Sequence, residues 1–212
     1  MSSIKIIGVT GTNGKTTTAS TIYKILLNLG YKVALQGTRG FFINELCVED
    51  YSLTTPIQLG NFINIQKAIQ NSCQYFVMEV SSHAIEQNRI EGLDFALKIH
   101  TNITRDHLDY HKTIEEYIRV KNLFLSDESK KLINIDDKVV KFNPINAFTY
   151  SLENSSNFKV LKYELKDSMN VEFLYENKNY KFSTNMMGIF NIYNLLAAIS
   201  TVHITTNEKL EN

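Results

Sequence analysis

The stretch Gly11-Thr12-Asn13-Gly14-Lys15-Thr16-Thr17-Thr18 follows an apolar run at residues 4–9 and opens a helical pattern. A glycine-rich turn between a strand and a helix lets backbone N–H groups point at phosphate oxygens, and the helix N-terminus adds the positive end of its dipole. In such a loop Lys15 reaches the β- and γ-phosphates, and the Thr16 hydroxyl can ligate Mg²⁺. The stretch therefore predicts a phosphate-binding loop rather than a glycine-rich turn with a surface lysine.

The loop departs from the general pattern G-x-x-x-x-G-K-[ST] at one position, because Val9 stands where that pattern has its first glycine. The loop is therefore a T-G-T-N-G-K-T variant, which narrows the family of proteins to which the chain can belong.

Composition excludes several classes of partner. The 212 residues are 43% hydrophobic and 21% charged, which is typical of a globular protein. Lys+Arg and Asp+Glu both number 22, so no overall field favours nucleic acid or an anionic membrane. Cys47 and Cys73 have neither metal-ligand nor disulfide spacing. With no room for a signal peptide before Ile4 and no apolar run near the roughly 20 residues of a membrane span, we expect a cytoplasmic protein without membrane insertion.

Strand and helix patterns alternate along the first two thirds of the chain. Apolar runs at 4–9, 31–36, 75–80 and 95–100 predict strands, and helical spacing occurs at 16–29, 58–69 and 113–125. This alternation predicts βαβ units and a mainly parallel sheet. Ligands bind at the carboxyl ends of such strands, so the residues that follow Val9, Met78 and His100 are the first candidates for a site.

The pattern changes after about residue 140. Apolar and polar residues alternate at 158–165, 171–174 and 180–182, and residues 176–179 form a plausible hairpin turn. Residues 187–191 then lead into a helix that ends near His203. Together these patterns predict an α/β fold: a mainly parallel sheet that carries the phosphate loop and is flanked by helices, with a small antiparallel annex at about 140–185.

The segment Glu79-Val80-Ser81-Ser82-His83 follows the third predicted strand. A carboxylate there faces the phosphate loop if the strands are neighbours, and it can hold Mg²⁺ directly or through water. The alternative is a solvated glutamate at a strand end. Ser81, Ser82 and His83 do not indicate a serine hydrolase, because the G-x-S-x-G elbow is missing.

Residues 101–111 follow the fourth predicted strand and place two histidines and two aspartates within six residues. They form either part of a site or a polar loop before a helix, and spacing does not choose between His107 and His111 as a metal ligand. Thr113 and Glu116 resemble a capping box. Lys121 falls on the apolar stripe of the following helix, and the helix alone favours a lysine that snorkels to solvent.

Four stretches together resemble the Mur ligases, the ATP-dependent amide-forming enzymes of peptidoglycan precursor synthesis. They are residues 10–18, 53–56, 79–89 and 101–125, and the combination of Glu79 to Arg89 with Asn102, Asp106-His107-Leu108-Asp109-Tyr110-His111 and Lys121 is very specific. The resemblance covers nearly the whole chain, as the family's central ATP-binding domain, residues 1–212.

The resemblance implies a reaction. It is strongest to family members that add the third residue to UDP-N-acetylmuramoyl-L-alanyl-D-glutamate through an acyl phosphate, with ATP and Mg²⁺. The incoming amino acid is either meso-diaminopimelate or L-lysine. The family's N-terminal UDP-binding and C-terminal amino-acid-binding domains are expected outside this chain, and a monomer is expected. A folylpolyglutamate synthase-like ligase, a P-loop NTPase switch and a nucleotide-binding module that is inactive in isolation are the alternatives.

The resemblance also assigns roles to individual residues. The nucleotide-binding residues would be Gly11, Thr12, Asn13, Gly14, Lys15, Thr16, Thr17 and Asn191. The magnesium ligands would be Thr16, Glu79, His107 and Lys121, with Lys121 converted by CO₂ to a carbamate. The catalytic residues would be Lys15, Lys121, His107 and Glu79. The muramoyl-dipeptide would contact Thr54, Thr55, Ser81, Gln87 and Arg89, although Leu53 replaces the polar residue that often precedes the two threonines. Gly188, Asn191 and Asn194 match a G-x-x-N-x-x-N element, in which Asn191 would contact adenine or cap the helix.

Overall fold

Six helices and eleven strands are found in the computed structural model, which describes residues 4–50, 53–206 and 208–210. The strands are β1 Lys5–Thr10, β2 Val33–Gly37, β3 Gly40–Ile43, β4 Leu46–Glu49, β5 Tyr75–Glu79, β6 Phe95–His100, β7 Lys131–Asn134, β8 Ala147–Ser151, β9 Phe158–Leu165, β10 Met169–Tyr175 and β11 Lys178–Thr184. The helices are α1 Lys15–Asn28, α2 Gln58–Gln70, α3 Ser82–Glu86, α4 Leu108–His111, α5 Ile114–Leu123 and α6 Ile189–Thr206.

All eleven strands form one sheet in the order β11-β10-β9-β8-β7-β6-β1-β5-β2-β3-β4. The strands from β9 to β2 pair in parallel, and antiparallel pairs occur at the two edges. β1 lies between β5 and β6, with Val9 opposite Glu79 and Thr10 opposite His100. The three carboxyl ends chosen from the sequence are therefore adjacent, and the prediction of a mainly parallel α/β sheet is confirmed.

Alternate residues of the central strands face two separate cores. Ile7, Val9 and Val77 pack on one side, which α1 and α6 cover. Ile6 and Phe76 face the other side, with residues of α2 and of the segment after α5. Because both faces of the sheet are covered, its central strands are mostly apolar on both sides, as expected for parallel strands, with their polar residues mainly towards the carboxyl ends. The sheet edge that carries the strand ends is thereby held between two rigid layers.

The antiparallel parts differ in extent from the sequence prediction. Within the predicted annex, β8 pairs in parallel with both β7 and β9, so antiparallel pairing begins only at β9. The hairpin turn at Glu176 and Asn177 is confirmed, with positive φ at both residues. A second hairpin, β3–β4, was not predicted. Its turn residues Asn44 and Glu45 also have positive φ, but the pair lacks the glycine that usually marks such a turn.

Helix α6 satisfies the length and hydropathy criteria for a membrane span, with a mean hydropathy of 1.2 over 18 residues. This is weak support for such a span, because the core helix of a globular protein meets the same criteria. In this protein 56% of the helix is buried, and its buried residues pack in the core shared with α1. The helix extends to Thr206, beyond the end predicted near His203.

Candidate functional site

The loop between β1 and α1 requires its two glycines. Gly11 has φ +148°, and a Cβ there would lie 1.8 Å from Thr101 Oγ1. Gly14 has φ +84°, and a Cβ there would lie 2.2 Å from Asn194 Oδ1. Positive φ disfavours residues with a side chain, and these contacts leave no space for one. The loop is thus fitted closely between the segment after β6 and the start of α6.

The backbone N–H groups of this loop divide into two sets. Thr12 N–H donates to Asn102 O at 2.7 Å, and Asn13 N–H donates to Asn102 Oδ1 at 3.0 Å. These two groups therefore face the protein rather than a ligand. The N–H groups in the first turn of α1, from Lys15 to Thr17, lack intrahelical acceptors, as in any helix. No side chain caps this helix to replace them. An uncapped first turn suits a phosphate.

Two lysines meet at one carbonyl of the loop. Lys15 Nζ donates to Gly11 O at 2.8 Å and to Thr12 O at 2.9 Å. Lys121 Nζ, from α5, also donates to Gly11 O, at 2.9 Å. Burial lowers the pKa of Lys15, and the carboxylates of Glu79 and Asp106 oppose that shift. The lysine predicted from the loop motif and the lysine assigned from the family resemblance thus lie together.

Lys121 does not snorkel to solvent, so the interpretation drawn from the helix alone is wrong. Only 1% of Lys121 is exposed, and its Nζ lies 5.0 Å above the Tyr117 ring. Burial lowers its pKa well below the ordinary value, and the nearby Lys15 adds to this effect. A buried lysine with a lowered pKa supplies the neutral amine that reaction with CO₂ needs.

Glu79 is buried, so it is not the solvated strand-end glutamate that the sequence left open. Its Oε2 accepts hydrogen bonds from Thr16 Oγ1 at 2.9 Å and from Thr38 Oγ1 at 3.2 Å. Its Oε1 accepts from Thr38 N–H at 2.9 Å. The carboxylate and the Thr16 hydroxyl therefore present two oxygen ligands beside the phosphate loop, which is the ligand type Mg²⁺ prefers.

His107 lies in a group of aromatic rings at the mouth of the site. Its ring centroid is 5.2 Å from that of His83, which in turn is 4.1 Å from Tyr110 and 5.6 Å from His111. Burial lowers the pKa of His83, and the other two histidines act in the same direction. His111 is buried with Nε2 2.9 Å from Ser82 Oγ, so His107 is the exposed member of the pair that spacing could not separate.

In the described part of the chain, no three His, Cys, Asp or Glu side chains converge as a ready metal site. The set assigned from the resemblance contains only two such residues, Glu79 and His107. The other two members are the Thr16 hydroxyl and Lys121, which could act as a ligand only after conversion to a carbamate. The geometry is thus compatible with an oxygen-rich Mg²⁺ site that Lys121 completes.

A cleft of about 260 Å³ joins the catalytic and substrate candidates. Its lining residues are Lys15, Leu53, Thr54, Thr55, Ser81, Ser82, His83, Arg89, His107 and Lys121. A larger cavity of about 840 Å³ lies on the outer face of α5, between Ile118 and Phe142. The smaller cleft is the better candidate site because it contains the phosphate-loop lysine and the strand-end residues, which the larger cavity does not.

The predicted muramoyl-dipeptide residues form a connected network. Thr55 Oγ1 donates to Glu79 O at 2.9 Å and accepts from Ser81 N–H at 3.1 Å. Arg89 donates to Gln87 Oε1 through Nε and Nη2, at 2.9 and 2.6 Å, and to Thr55 O through Nη1 at 2.8 Å. Gln87 Nε2 donates to the Tyr110 hydroxyl at 2.8 Å, and Thr54 Oγ1 lies 3.1 Å from Thr38 Oγ1. The guanidinium is therefore held in one orientation at the cleft.

Asn191 is not the N-cap of α6, because the helix begins at Ile189. Its Nδ2 donates to Met187 O at 2.8 Å, and its Oδ1 accepts from Asn194 Nδ2 at 3.2 Å. Asn194 is the residue that abuts Gly14. The helix start thus lies against the phosphate loop.

Three residues of the site were assigned no role in it from the sequence. Thr38 holds both oxygens of Glu79, Asn102 holds two loop N–H groups, and Tyr117 contacts Thr12. Thr38 follows a strand, Asn102 belongs to a segment already singled out, and Tyr117 lies one turn before Lys121. Position after a parallel strand was therefore the one signal available for Thr38.

Comparison with known proteins identifies the family of the chain. The family description "Mur ligase middle domain" matches residues 9–202. A UDP-N-acetylmuramoyl-L-alanyl-D-glutamate–2,6-diaminopimelate ligase of Wolinella succinogenes is 54% identical over 200 residues, which are 94% of this chain and 46% of the relative. The ligase of the same name from Helicobacter hepaticus is 50% identical over 97% of this chain and 46% of its own length. The chain spans about half the length of these relatives.

Solved structures show the same fold. A UDP-N-acetylmuramoyl-L-alanyl-D-glutamate–2,6-diaminopimelate ligase superposes with a TM-score of 0.83 at 26% identity, over 99% of this chain and 47% of that one. A folylpolyglutamate synthase in complex with AMPPCP and folate has a TM-score of 0.71 at 16% identity, over 98% of this chain and 60% of that one. The second likeness is one of fold alone.

Proposed function

The chain belongs to the Mur ligase family, and on that premise we propose that it is the ATP-binding part of a ligase that adds 2,6-diaminopimelate to UDP-N-acetylmuramoyl-L-alanyl-D-glutamate. Mur ligases are ATP-dependent, and the names of the relatives favour 2,6-diaminopimelate over L-lysine as the added amino acid. The observation that carries it is the meeting of Lys15, Lys121 and the Thr16–Glu79 pair around Gly11.

In the proposed reaction, the γ-phosphoryl group of ATP passes to the substrate carboxylate, and the amine of the amino acid then displaces phosphate from the acyl phosphate. Phosphoryl transfer needs alignment and charge neutralisation more than covalent help. Lys15 and the free N–H groups of the first turn of α1 supply positive charge to the phosphates. Arg89, held by Gln87 and Thr55, orients an anionic group of the substrate at the cleft.

The side chains present fit a magnesium ion. Thr16, Glu79 and His107 would hold it, together with a carbamate on Lys121 that removes the positive charge of the amine. When bound, the ion neutralises charge on the transferred phosphoryl group. The burial of Lys121 and the lowered pKa of its amine support the carbamate assignment.

A folylpolyglutamate synthase-like activity is less well supported, because that likeness rests on 16% identity whereas the diaminopimelate ligases reach 54%. We assign the UDP-binding and amino-acid-binding domains to the part of the relatives that this chain does not cover. We further propose a cytoplasmic monomer. A chain that binds nucleotide but is inactive by itself is compatible with this assignment.

The test is a calorimetric titration of Mg-ATP into this chain. We expect saturable binding that is lost in Lys15→Ala, because that variant removes the phosphate-loop ammonium. Lys24→Ala is the matched control, since Lys24 lies on the same helix but bonds to the exposed Glu45. We expect it to bind as the unchanged chain does.

Equal binding by Lys15→Ala and the unchanged chain would contradict the assignment of the loop. If the folded chain does not bind, the same titration on the longer ligase decides. Binding there that depends on Lys15 keeps the assignment and shows that the pocket needs another domain.

A further inference from the structure

Tyr117 is a buried residue at the centre of the site to which the reaction gives no role. It lies on α5, one turn before Lys121, and its side chain has no exposed surface. Its hydroxyl is 2.9 Å from Thr12 Oγ1 in the phosphate loop. A buried hydroxyl needs a partner, and this one finds it in the loop expected to bind ATP.

Counting protons gives the direction of this hydrogen bond. Thr12 Oγ1 accepts from Thr104 N–H at 3.0 Å and lies 3.2 Å from Thr104 O, to which it can donate. A threonine hydroxyl has one hydrogen and two lone pairs. If Tyr117 donates to Thr12 and Thr12 donates to Thr104 O, each group is satisfied. Burial raises the pKa of Tyr117 to about 12, so its hydroxyl retains the proton at neutral pH.

The same turn of α5 contacts the loop a second time. Lys121 Nζ donates to Gly11 O at 2.9 Å while lying 5.0 Å above the Tyr117 ring. Residues four apart on a helix share a face, so the hydroxyl and the amine reach consecutive residues of the loop. Two contacts fix the position of the loop along α5, which one contact could not do.

We propose that Tyr117 is a positioning residue, which fixes the phosphate loop against α5 through Thr12 and so places the amine of Lys121 beside Gly11. It touches neither nucleotide nor substrate. The consequence for ATP rests on the proposed function, but the effect on the loop does not.

The test compares Tyr117→Phe, which keeps the ring and loses the hydroxyl, with Thr12→Val and the double variant. Tyr75→Phe is the matched control, because its buried hydroxyl donates to Thr205 O at the opposite end of the sheet. Loss of a buried hydrogen bond changes the equilibrium constant for local opening by about five- to tenfold. We expect the amide hydrogens of Thr12 and Thr104 to exchange faster by that factor in ligand-free Tyr117→Phe.

A second readout is the affinity for Mg-ATP. We expect Tyr117→Phe and Thr12→Val each to weaken the binding of Mg-ATP. The double variant should bind as well as the single variant with the lower affinity, because both substitutions remove the same contact. Tyr75→Phe should leave loop exchange and affinity unchanged.

Unchanged loop exchange in folded Tyr117→Phe would overturn the proposal, as would equal acceleration in Tyr75→Phe or strictly additive effects in the double variant. Exchange is measured without nucleotide. If neither this chain nor the longer ligase binds Mg-ATP, the proposed function fails while the exchange data still decide the role of Tyr117.

Discussion

The position of Glu79 depends on the absence of a side chain at Gly37. A Cβ at Gly37 would lie 2.2 Å from Glu79 Oε1, the oxygen that accepts from Thr38 N–H. This glycine has no unusual φ, so an alanine there would conflict with the Glu79 side chain rather than with its own backbone conformation. The position of the carboxylate therefore depends on the space at Gly37 as much as on its hydrogen bonds.

We therefore expect Gly37→Ala to displace the carboxylate and weaken Mg-dependent ATP binding by about 10- to 100-fold, the range typical of residues that support a metal ligand. Calorimetry with and without Mg²⁺ measures the effect. Gly60→Ala, on α2, is the control, because its added Cβ would make a tight contact of 3.1 Å with Pro56 Cβ and none with Glu79. A Gly37→Ala chain with unchanged Mg²⁺ dependence would remove Glu79 from the metal site.

For Lys121 we expect the alanine variant of the longer ligase to be largely inactive and to recover part of its turnover when a small carboxylate such as acetate is added. The added anion replaces the charge of the carbamate. Lys131→Ala is the comparison, since Lys131 is buried and its ammonium donates to Asp127 O and Ile145 O, away from the phosphate loop. Acetate should not increase its turnover. Full activity of Lys121→Ala would exclude the carbamate from the mechanism.

At the scale of single elements, α5 begins with a side-chain cap. Thr113 Oγ1 accepts from Glu116 N–H at 3.2 Å, which confirms half of the predicted capping box. The other half is absent, because the Glu116 carboxylate accepts from Arg119 instead. The cap matters to the site since α5 carries Tyr117 and Lys121.

Replacing the cap should cost stability without affecting the loop. We expect Thr113→Ala to lower the free energy of unfolding by about 1 kcal/mol, as other helix caps do. Thr113→Ser retains the hydroxyl and should remain close to the unchanged chain. Urea unfolding measures both. A Thr113→Ala chain as stable as Thr113→Ser would show that the cap contributes nothing.

The elements also show what the sequence could predict. Strands β1, β2, β5 and β6 and helices α1, α2 and α5 had clear apolar runs or helical spacing, and their ends were predicted within about two residues, whereas β7 and β8 were not predicted. The β3–β4 hairpin has an Asn-Glu turn without glycine, and α3 has only five residues. Neither is long enough for periodicity to appear. The environment of Lys121 was mispredicted because its partner, Gly11 O, lies 110 residues away.

At the scale of the whole molecule, acid stability depends on a buried pair beneath the site. His100 is fully buried, with Nε2 2.7 Å from Asp137 Oδ2. Burial lowers the pKa of His100, and Asp137 opposes that shift. The neutral ring therefore donates Nε2–H to the carboxylate. In the unfolded chain the histidine has its ordinary pKa of about 6.5. The unfolded chain therefore takes up a proton at higher pH than the folded protein does.

The contribution of His100 to the free energy of unfolding should therefore not change with pH above about pH 6.5. At lower pH the free energy of unfolding should decrease, by up to about 1.4 kcal/mol per pH unit for this group. In His100→Gln an amide N–H can face Asp137 but does not titrate, so we expect a smaller loss between pH 6.5 and 5. Urea unfolding at several pH values measures both slopes. Equal slopes would show that another group controls acid unfolding.

Most residues of the candidate site could be predicted from the sequence, but the hydrogen bonds between their side chains could not. Parallel strands bring their carboxyl ends together, so Lys15, Glu79 and His107 were expected at one edge. The bonds from Arg89 to Gln87 and from Tyr117 to Thr12 depend on side-chain orientations that one sequence does not encode locally.

The carbonyl of Gly11 has a consequence for measured affinities. Lys15 Nζ donates to the carbonyls of Gly11 and Thr12, so two of its three N–H groups already have acceptors within the protein. A phosphate must therefore compete with these two carbonyls for the Lys15 ammonium. The observed dissociation constant is then the intrinsic one divided by the fraction of loops in which the lysine is released, so the measured affinity is weaker than the intrinsic affinity. Removing Lys121 would leave Lys15 as the only one of the two amines on Gly11 O. The apparent affinity of the loop thus reports on both lysines, although only one is expected to reach the phosphates.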